Sequence, residues 1–271
     1  MQNVGVQALL TVVFILLGLA IGSFLNVCID RLPGGRSIVT PPSRCDQCQR
    51  RLAVADLIPV FSYLWLRGRC RYCGAVLPKR IVVVELVSGV MLGALYLGFG
   101  LEAEFGVAAF WGCLFIVIFV IDLEQGLVLD KIVFPSLLVA LVFAGLVNDL
   151  PWLEGIGVME EWPQIAVAAL GGGVGFLLFF LLALFAVTLL HKEGLGGGDV
   201  KLAALLGVVC GFPLILLVIV VGAMVGLLMA LVMGRLKGGE TIPFGSALVV
   251  ATAAAMVVGQ SIIDWLARLY S

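Results

Sequence analysis

Charge is what this chain has least of. Asp, Glu, Lys and Arg make up 12% of its 271 residues, against about 25% in soluble globular domains, and that shortfall excludes a soluble enzyme. Disorder is excluded with it, because a chain that is 62% hydrophobic with a mean hydropathy of +1.21 cannot stay solvated. A net charge of −1 supplies no field for a polyanion, which argues against a nucleic-acid partner. Histidine is nearly missing: His191 is the only one, and it reads as a solvated loop residue beside Lys192 and Glu193. None of Ser23, Ser62, Ser88, Ser136 or Ser246 therefore has a histidine-bearing elbow or an S-x-x-K context for nucleophilic catalysis. The glycine run at Gly194–Gly198 lacks the G-K-[ST] ending of a phosphate loop. No basic segment precedes the first apolar run and no small-residue cleavage site follows it, so that run reads as a retained span and not a signal peptide.

What is present is a series of long apolar runs, each suited to a hydrocarbon layer of about 30 Å. They lie at about Ala8–Val27, Ile81–Gly98, Val107–Ile121, Ile132–Val147, Ile165–Leu190, Val200–Gly211, Leu214–Met233 and Pro243–Leu266. The expectation is an all-α polytopic membrane protein of about eight transmembrane helices, with a small cytoplasmic zinc-binding domain inserted between helices 1 and 2. The division at Gly211-Phe212-Pro213 leaves two halves each short for a span, but charge supports it. With eight spans and the N-terminus outside, every Lys and Arg except Arg268 falls inside, a strong positive-inside bias. Glycines at Gly171–Gly175 read as a close helix–helix contact.

Seven cysteines sort by context. Cys28, Cys113 and Cys210 lie singly in or beside apolar spans, whereas Cys45-Asp46-Gln47-Cys48 and Cys70-Arg71-Tyr72-Cys73 form two C-x-x-C pairs in the polar insertion of residues 30–80. Two such pairs suit a four-thiolate zinc site with Cys45, Cys48, Cys70 and Cys73 as ligands. Disulfides are the competing reading, and a reducing cytoplasm disfavours them. Four thiolates leave zinc no open position, so the metal would be structural, stabilising a domain too small to hold a large core.

Ionisable residues among apolar spans default to functional hypotheses. Asp122 closes the third run and Asp199 opens the sixth within Gly196-Gly197-Gly198-Asp199, and the topology puts both at the cytoplasmic ends of their helices. Two approaching carboxylates do not ionise together, so such a pair holds one proton and suits aspartyl hydrolysis. The bland readings stay open at this stage: Asp122 as an interfacial residue, Asp199 as a helix cap. Glu85, about five residues into the second span, reads as a snorkelling acid or a partner for the cytoplasmic domain.

Several elements in order resemble the bacterial prepilin peptidases, or type IV leader peptidases. Gly22-Ser23-Phe24-Leu25-Asn26-Val27 with Arg31-Leu32-Pro33 resembles the family's N-terminal signature. The paired cysteines bracket a segment similar to its zinc ribbon. Asp122 matches its first catalytic aspartate, Gly196-Gly197-Gly198-Asp199 its G-x-G-D motif, and Ile242-Pro243-Phe244-Gly245 its C-terminal element. The resemblance implies cleavage of the basic leader from type IV prepilins or type II secretion pseudopilins, then N-methylation of the new terminal residue from S-adenosylmethionine. It assigns peptidase chemistry to Asp122 and Asp199, and methyl transfer or cofactor binding to Gly22, Asn26, Arg31 and Glu85.

The implied organisation is a first transmembrane helix (1–29), a zinc-ribbon-like domain (30–80) forming the methyltransferase part with that helix, and a membrane-embedded peptidase domain (81–271). The expected setting is the inner membrane, with lipid and prepilins as partners. Asp30, Asp46, Asp56, Glu124 and Asp130 are the acids available to receive a basic leader. Two rivals remain at this stage: a peptidase without methyl transfer, and a transporter with a zinc docking domain. Transport would more naturally place the acids near the midplane.

Overall fold

The computed structural model describes residues 4–147, 150–153, 159, 161–190, 196–237, 243–259 and 261–262. Each of the eight apolar runs contains a helix, because a backbone in lipid must satisfy its own hydrogen bonds. In chain order these are α1 (Val4–Arg31), a 3-10 turn (Val54–Leu57), the short α2 (Phe61–Trp65), α3 (Arg80–Phe99), α4 (Ala103–Gln125), α5 (Asp130–Leu146), α6 (Gln164–Leu190), α7 (Gly197–Cys210), α8 (Leu214–Lys237) and α9 (Phe244–Ala254), followed by a π-helical turn (Ala255–Gly259). Among the described residues there is no strand, only isolated bridges at Arg44–Arg51 and Arg69–Val76. The parts of α1, α3, α4, α6 and α8 at Val4–Arg31, Arg80–Phe99, Ala103–Gln125, Gln164–Phe185 and Leu214–Val232 are long and apolar enough to cross a membrane. This is an all-α, multi-pass membrane protein with a cysteine-bearing insertion after its first helix.

The chain divides into two compact units, Met1–Val117 and Ile118–Ser271, inside α4. In the first unit α1 packs along α3 through small residues. A Cβ on Gly22 would lie 2.7 Å from Glu85 Cα, and one on Gly93 would lie 2.6 Å from Ile15 Cγ1. The two helices therefore approach at backbone distance, as small-residue contacts allow in a bilayer. Phe14 of α1 stacks on Tyr96 of α3, their centroids 4.9 Å apart.

In the second unit α7 is the centre. Val200, Leu202, Ala203 and the residues from Leu205 to Cys210 are all buried, with α5, α6, α8 and α9 packed against them. The expected glycine contact is present: Cβ atoms on Gly171 or Gly207 would collide with the other residue's carbonyl oxygen, and one on Gly175 would lie 2.5 Å from Ala203 O. Helix α7 stops at Gly211, whose φ of +73° suits glycine. Pro213 precedes α8, so the apolar stretch from Val200 to Met233 is two helices. The final run is helical from Phe244, and its end toward Leu266 lies outside the described residues, as does His191.

Candidate functional site

The two cysteine pairs fold alike. In the first, Gln49 N–H donates to Cys45 O (2.8 Å) and Cys45 N–H to Arg50 O (3.0 Å); in the second, Gly74 N–H donates to Cys70 O (2.9 Å) and Cys70 N–H to Ala75 O (2.8 Å). The residue after each second cysteine takes positive φ, +56° at Gln49 and +73° at Gly74. Each turn thereby presents both of its sulfurs to one point. The four sulfurs lie within 4.8 Å of one another, and Cys45 Sγ is 3.8 Å from Cys73 Sγ. Tetrahedral zinc with Zn–S bonds of about 2.3 Å needs sulfur–sulfur edges of about 3.8 Å, so this cluster fits the metal. All four cysteines are free thiols. N–H groups of Tyr72 and Cys73 aimed at Cys70 lower its thiol to about 7. Cys73 rises to about 11 although Ala75 N–H acts the other way, through desolvation and the crowding sulfurs of Cys70, Cys48 and Cys45.

The ribbon is braced by Asp56, whose carboxylate accepts from Arg71 Nε (2.6 Å), Tyr72 Oη (3.2 Å) and Ala53 N–H (3.1 Å). Covering this carboxylate raises its pKa, but the three donors outweigh that and hold it below the usual carboxylate range. Asp30 pairs with Arg80 (2.6 Å) and Asp130 with Lys201 (2.8 and 2.9 Å). Three of the five acids expected to receive a basic leader are thus already engaged by bases of the same chain.

Gly22, Asn26 and Glu85 come together where α1 meets α3. Asn26 Nδ2 donates to Gly22 O (3.2 Å) and across to Ile81 O (3.0 Å), while its buried Oδ1 has no partner among the described residues. Glu85 is 4% exposed; it takes a hydrogen bond from Ser23 and accepts Val60 N–H at 2.7 Å. Val60 has φ +59°, a costly conformation for a β-branched residue, and it stands at the N-terminus of α2. Glu85 thus ties the ribbon segment to α3, as a partner of the inserted domain. Arg31 stands apart, at the end of α1, where Nη1 donates to Ser37 O (2.9 Å).

In the second unit Asp122 is buried, 3% exposed. Its Oδ2 accepts both the backbone N–H of Ser246 and, at 2.7 Å, the Ser246 hydroxyl. The Pro243-Phe244-Gly245 element starts α9, so the Ser246 N–H, which has no partner within the helix, points at the carboxylate. A Cβ on Gly245 would come within 3.1 Å of Asp122 Cγ, so glycine is what lets the backbone approach. Asp199 is not the cap of α7. That position is Gly196, and Asp199, in the first turn, accepts back from the Gly196 backbone while interacting electrostatically with Asp122. Lys201, two residues on, pairs with Asp130 at the start of α5, beside the entrance of α7 that carries Asp199. In sequence Ser246 reads only as a serine without a nucleophile's context and Asp130 only as an acid available to a leader. Polar residues in an apolar chain were the available signal, but their partners lie 124 and 71 positions away.

Paired acids at helix ends, together with a four-cysteine ribbon, define a class of helical membrane proteins with an internal acid pair and a cysteine cluster that could hold a metal. Comparison with known proteins narrows it. Residues 16–99 match the model described as the bacterial Peptidase A24 N-terminal domain, and residues 109–231 match that of the type IV leader peptidase family. The chain is 31% identical to the prepilin leader peptidase/N-methyltransferase of Bacillus subtilis (strain 168), covering 96% of this chain and 99% of that protein. Proteins with the same description from Stutzerimonas stutzeri (31% identical) and Pseudomonas aeruginosa (32%) are each matched over 92% of this chain and 90% of theirs. The chain belongs to the type IV leader peptidase family. No solved structure matches it significantly.

Proposed function

We propose that this protein is a prepilin leader peptidase and N-methyltransferase, cleaving the leader from type IV prepilins or pseudopilins and methylating the N-terminus so exposed. The relatives carry both activities in their description. The observation that carries the peptidase half is the pair formed by Asp122, near the start of the second unit, and Asp199, in the first turn of α7, which interact electrostatically.

Like charges this near make a single shared proton the stable state. The unprotonated acid takes a proton from water as its oxygen attacks the scissile carbonyl carbon, and the protonated acid donates to the carbonyl oxygen. No covalent bond to the enzyme is needed. The glycines ahead of Asp199 leave room for an extended substrate backbone to lie against the chain.

Gly22, Asn26, Arg31 and Glu85 are the residues we assign to methyl transfer. The Glu85 carboxylate and the unpartnered Asn26 Oδ1 are acceptors, which suits a cationic group; Gly22 acts by allowing α1 and α3 to meet. S-adenosylmethionine, when bound, supplies the methyl group. Cys45, Cys48, Cys70 and Cys73 hold a structural zinc that fixes the ribbon. The first helix (1–29) and the ribbon (30–80) form the methyltransferase part, to which Glu85 is contributed from the start of α3, and residues 81–271 otherwise form the peptidase. Fifteen of sixteen basic residues on one side support an N-terminus outside, a ribbon in the cytoplasm and residence in the inner membrane. A leader rich in basic residues stays on that same side.

The test is cleavage of a prepilin by the purified protein in proteoliposomes with S-adenosylmethionine, read by mass spectrometry of the mature N-terminus. Wild type is expected to give a cleaved and methylated product. Asp122→Asn and Asp199→Asn are each expected to lose at least about 100-fold in rate; near-wild-type cleavage by either would remove the assignment.

A further inference from the structure

We propose that Ser246 is a positioning residue that holds Asp122 as the unprotonated, water-activating member of the pair, so that Asp199 carries the proton given to the substrate carbonyl. This rests on the reading of Asp122 and Asp199 as the catalytic acids.

The two acids have unlike surroundings. Asp122 Oδ2 receives two donors from one residue, the Ser246 N–H and the Ser246 hydroxyl at 2.7 Å. The N–H can only donate. The hydroxyl also lies 3.2 Å from Phe119 O, but its single proton favours the nearer, charged acceptor. The N–H belongs to the first turn of α9, where the helix carries partial positive charge. Gly245, one residue earlier, adds no side chain that would hold the carboxylate away. All of these features favour the charged form of a carboxylate. Among the described residues, Asp199 receives one backbone bond, from Gly196. Among neighbouring charges, Lys201 on α7 is committed to Asp130 on α5, and α9 offers no titratable side chain.

The pairing sets the direction of each proton. Water loses a proton to Asp122 as its oxygen bonds to the carbonyl carbon, while the proton of Asp199 passes to the carbonyl oxygen. The tetrahedral diol then collapses: the C–N bond breaks, Asp122 returns its proton to the leaving nitrogen, and one diol hydroxyl returns its proton to Asp199. Both acids end as they began.

The experiment measures steady-state prepilin cleavage in proteoliposomes for Ser246→Ala, Asp122→Asn and Asp199→Asn, with methylation of an already cleaved pilin as a fold control. Ser246→Ala is expected to lower kcat about 10- to 100-fold, with KM changed less than about twofold and methylation intact. An amide at position 199 still offers a donor to the carbonyl oxygen, whereas one at 122 cannot take a proton. Asp199→Asn is therefore expected to keep a residual rate about tenfold or more above that of Asp122→Asn. Unchanged kcat in Ser246→Ala, a loss shared with KM and methylation, or equal or reversed residual rates would each overturn the proposal. Near-wild-type cleavage by Asp122→Asn would instead bring down the acid-pair reading beneath it.

Discussion

Glu85 Oε2 accepts the backbone N–H of Val60 at 2.7 Å, joining the second turn of α3 to a residue whose φ of +59° only a strong partner would sustain. A buried acid early in a membrane helix is thereby a structural tie to the ribbon as well as a candidate for methyl transfer.

Removing the tie should separate the two activities. Glu85→Ala leaves the Val60 N–H unpaired at a cost of about 1–3 kcal/mol, and methyl transfer is expected to drop more than tenfold while cleavage stays within threefold, roughly, of wild type. Glu85→Gln keeps an acceptor and should retain the ribbon's protection from limited proteolysis.

The cysteine cluster predicts one zinc per chain. Metal analysis of Cys45→Ser/Cys73→Ser should show its loss, with faster proteolysis between residues 45 and 75. Unchanged stoichiometry would contradict the four-thiolate site.

Asp56 gives the ribbon a pH signature. Its folded carboxyl is held below the usual value, so its contribution to stability is full above the unfolded value of about 3.9 and is lost as pH falls through the folded one. Wild type is expected to resist proteolysis in the ribbon better than Asp56→Asn at pH 7, and the difference should shrink as pH falls below the unfolded value of about 3.9. Metal loss in acid affects both proteins alike, so the difference between them isolates Asp56.

The contact of α6 with α7 depends on bare backbone. Gly207→Ala would drive a methyl group into the Gly171 carbonyl and is expected to cost about 1–3 kcal/mol, lowering both the melting temperature in detergent and cleavage, because α7 carries Asp199. Gly173→Ala, with nothing within 4 Å of the added atom, should change neither.

What the sequence made legible was the part written in local spacing. The C-x-x-C pairs announced the cluster, the apolar runs announced the helices, and Gly211-Phe212-Pro213 announced the break before α8. Charge placement announced Asp122 and Asp199 as residues needing a purpose. What stayed hidden was lateral packing. These helices are apolar on nearly every face, because lipid and protein neighbours alike accept leucine and valine, so no periodic stripe says which face meets which helix. The Ser246–Asp122 contact, the Asp130–Lys201 pair and the Val60–Glu85 tie all depend on that packing. Ser246 in particular reads in sequence as one more small residue at the start of an apolar run.

The central claim is that Asp122 and Asp199 act as one unit on one water and one peptide bond. It is tested most directly by prepilin cleavage rates in proteoliposomes for Asp122→Asn, Asp199→Asn and the double variant. Groups that work together give strongly non-additive losses, so the double variant is expected to be no slower than the worse single one, within about threefold. Losses that multiply in the double variant, or a single variant that cleaves at near the wild-type rate, would contradict it.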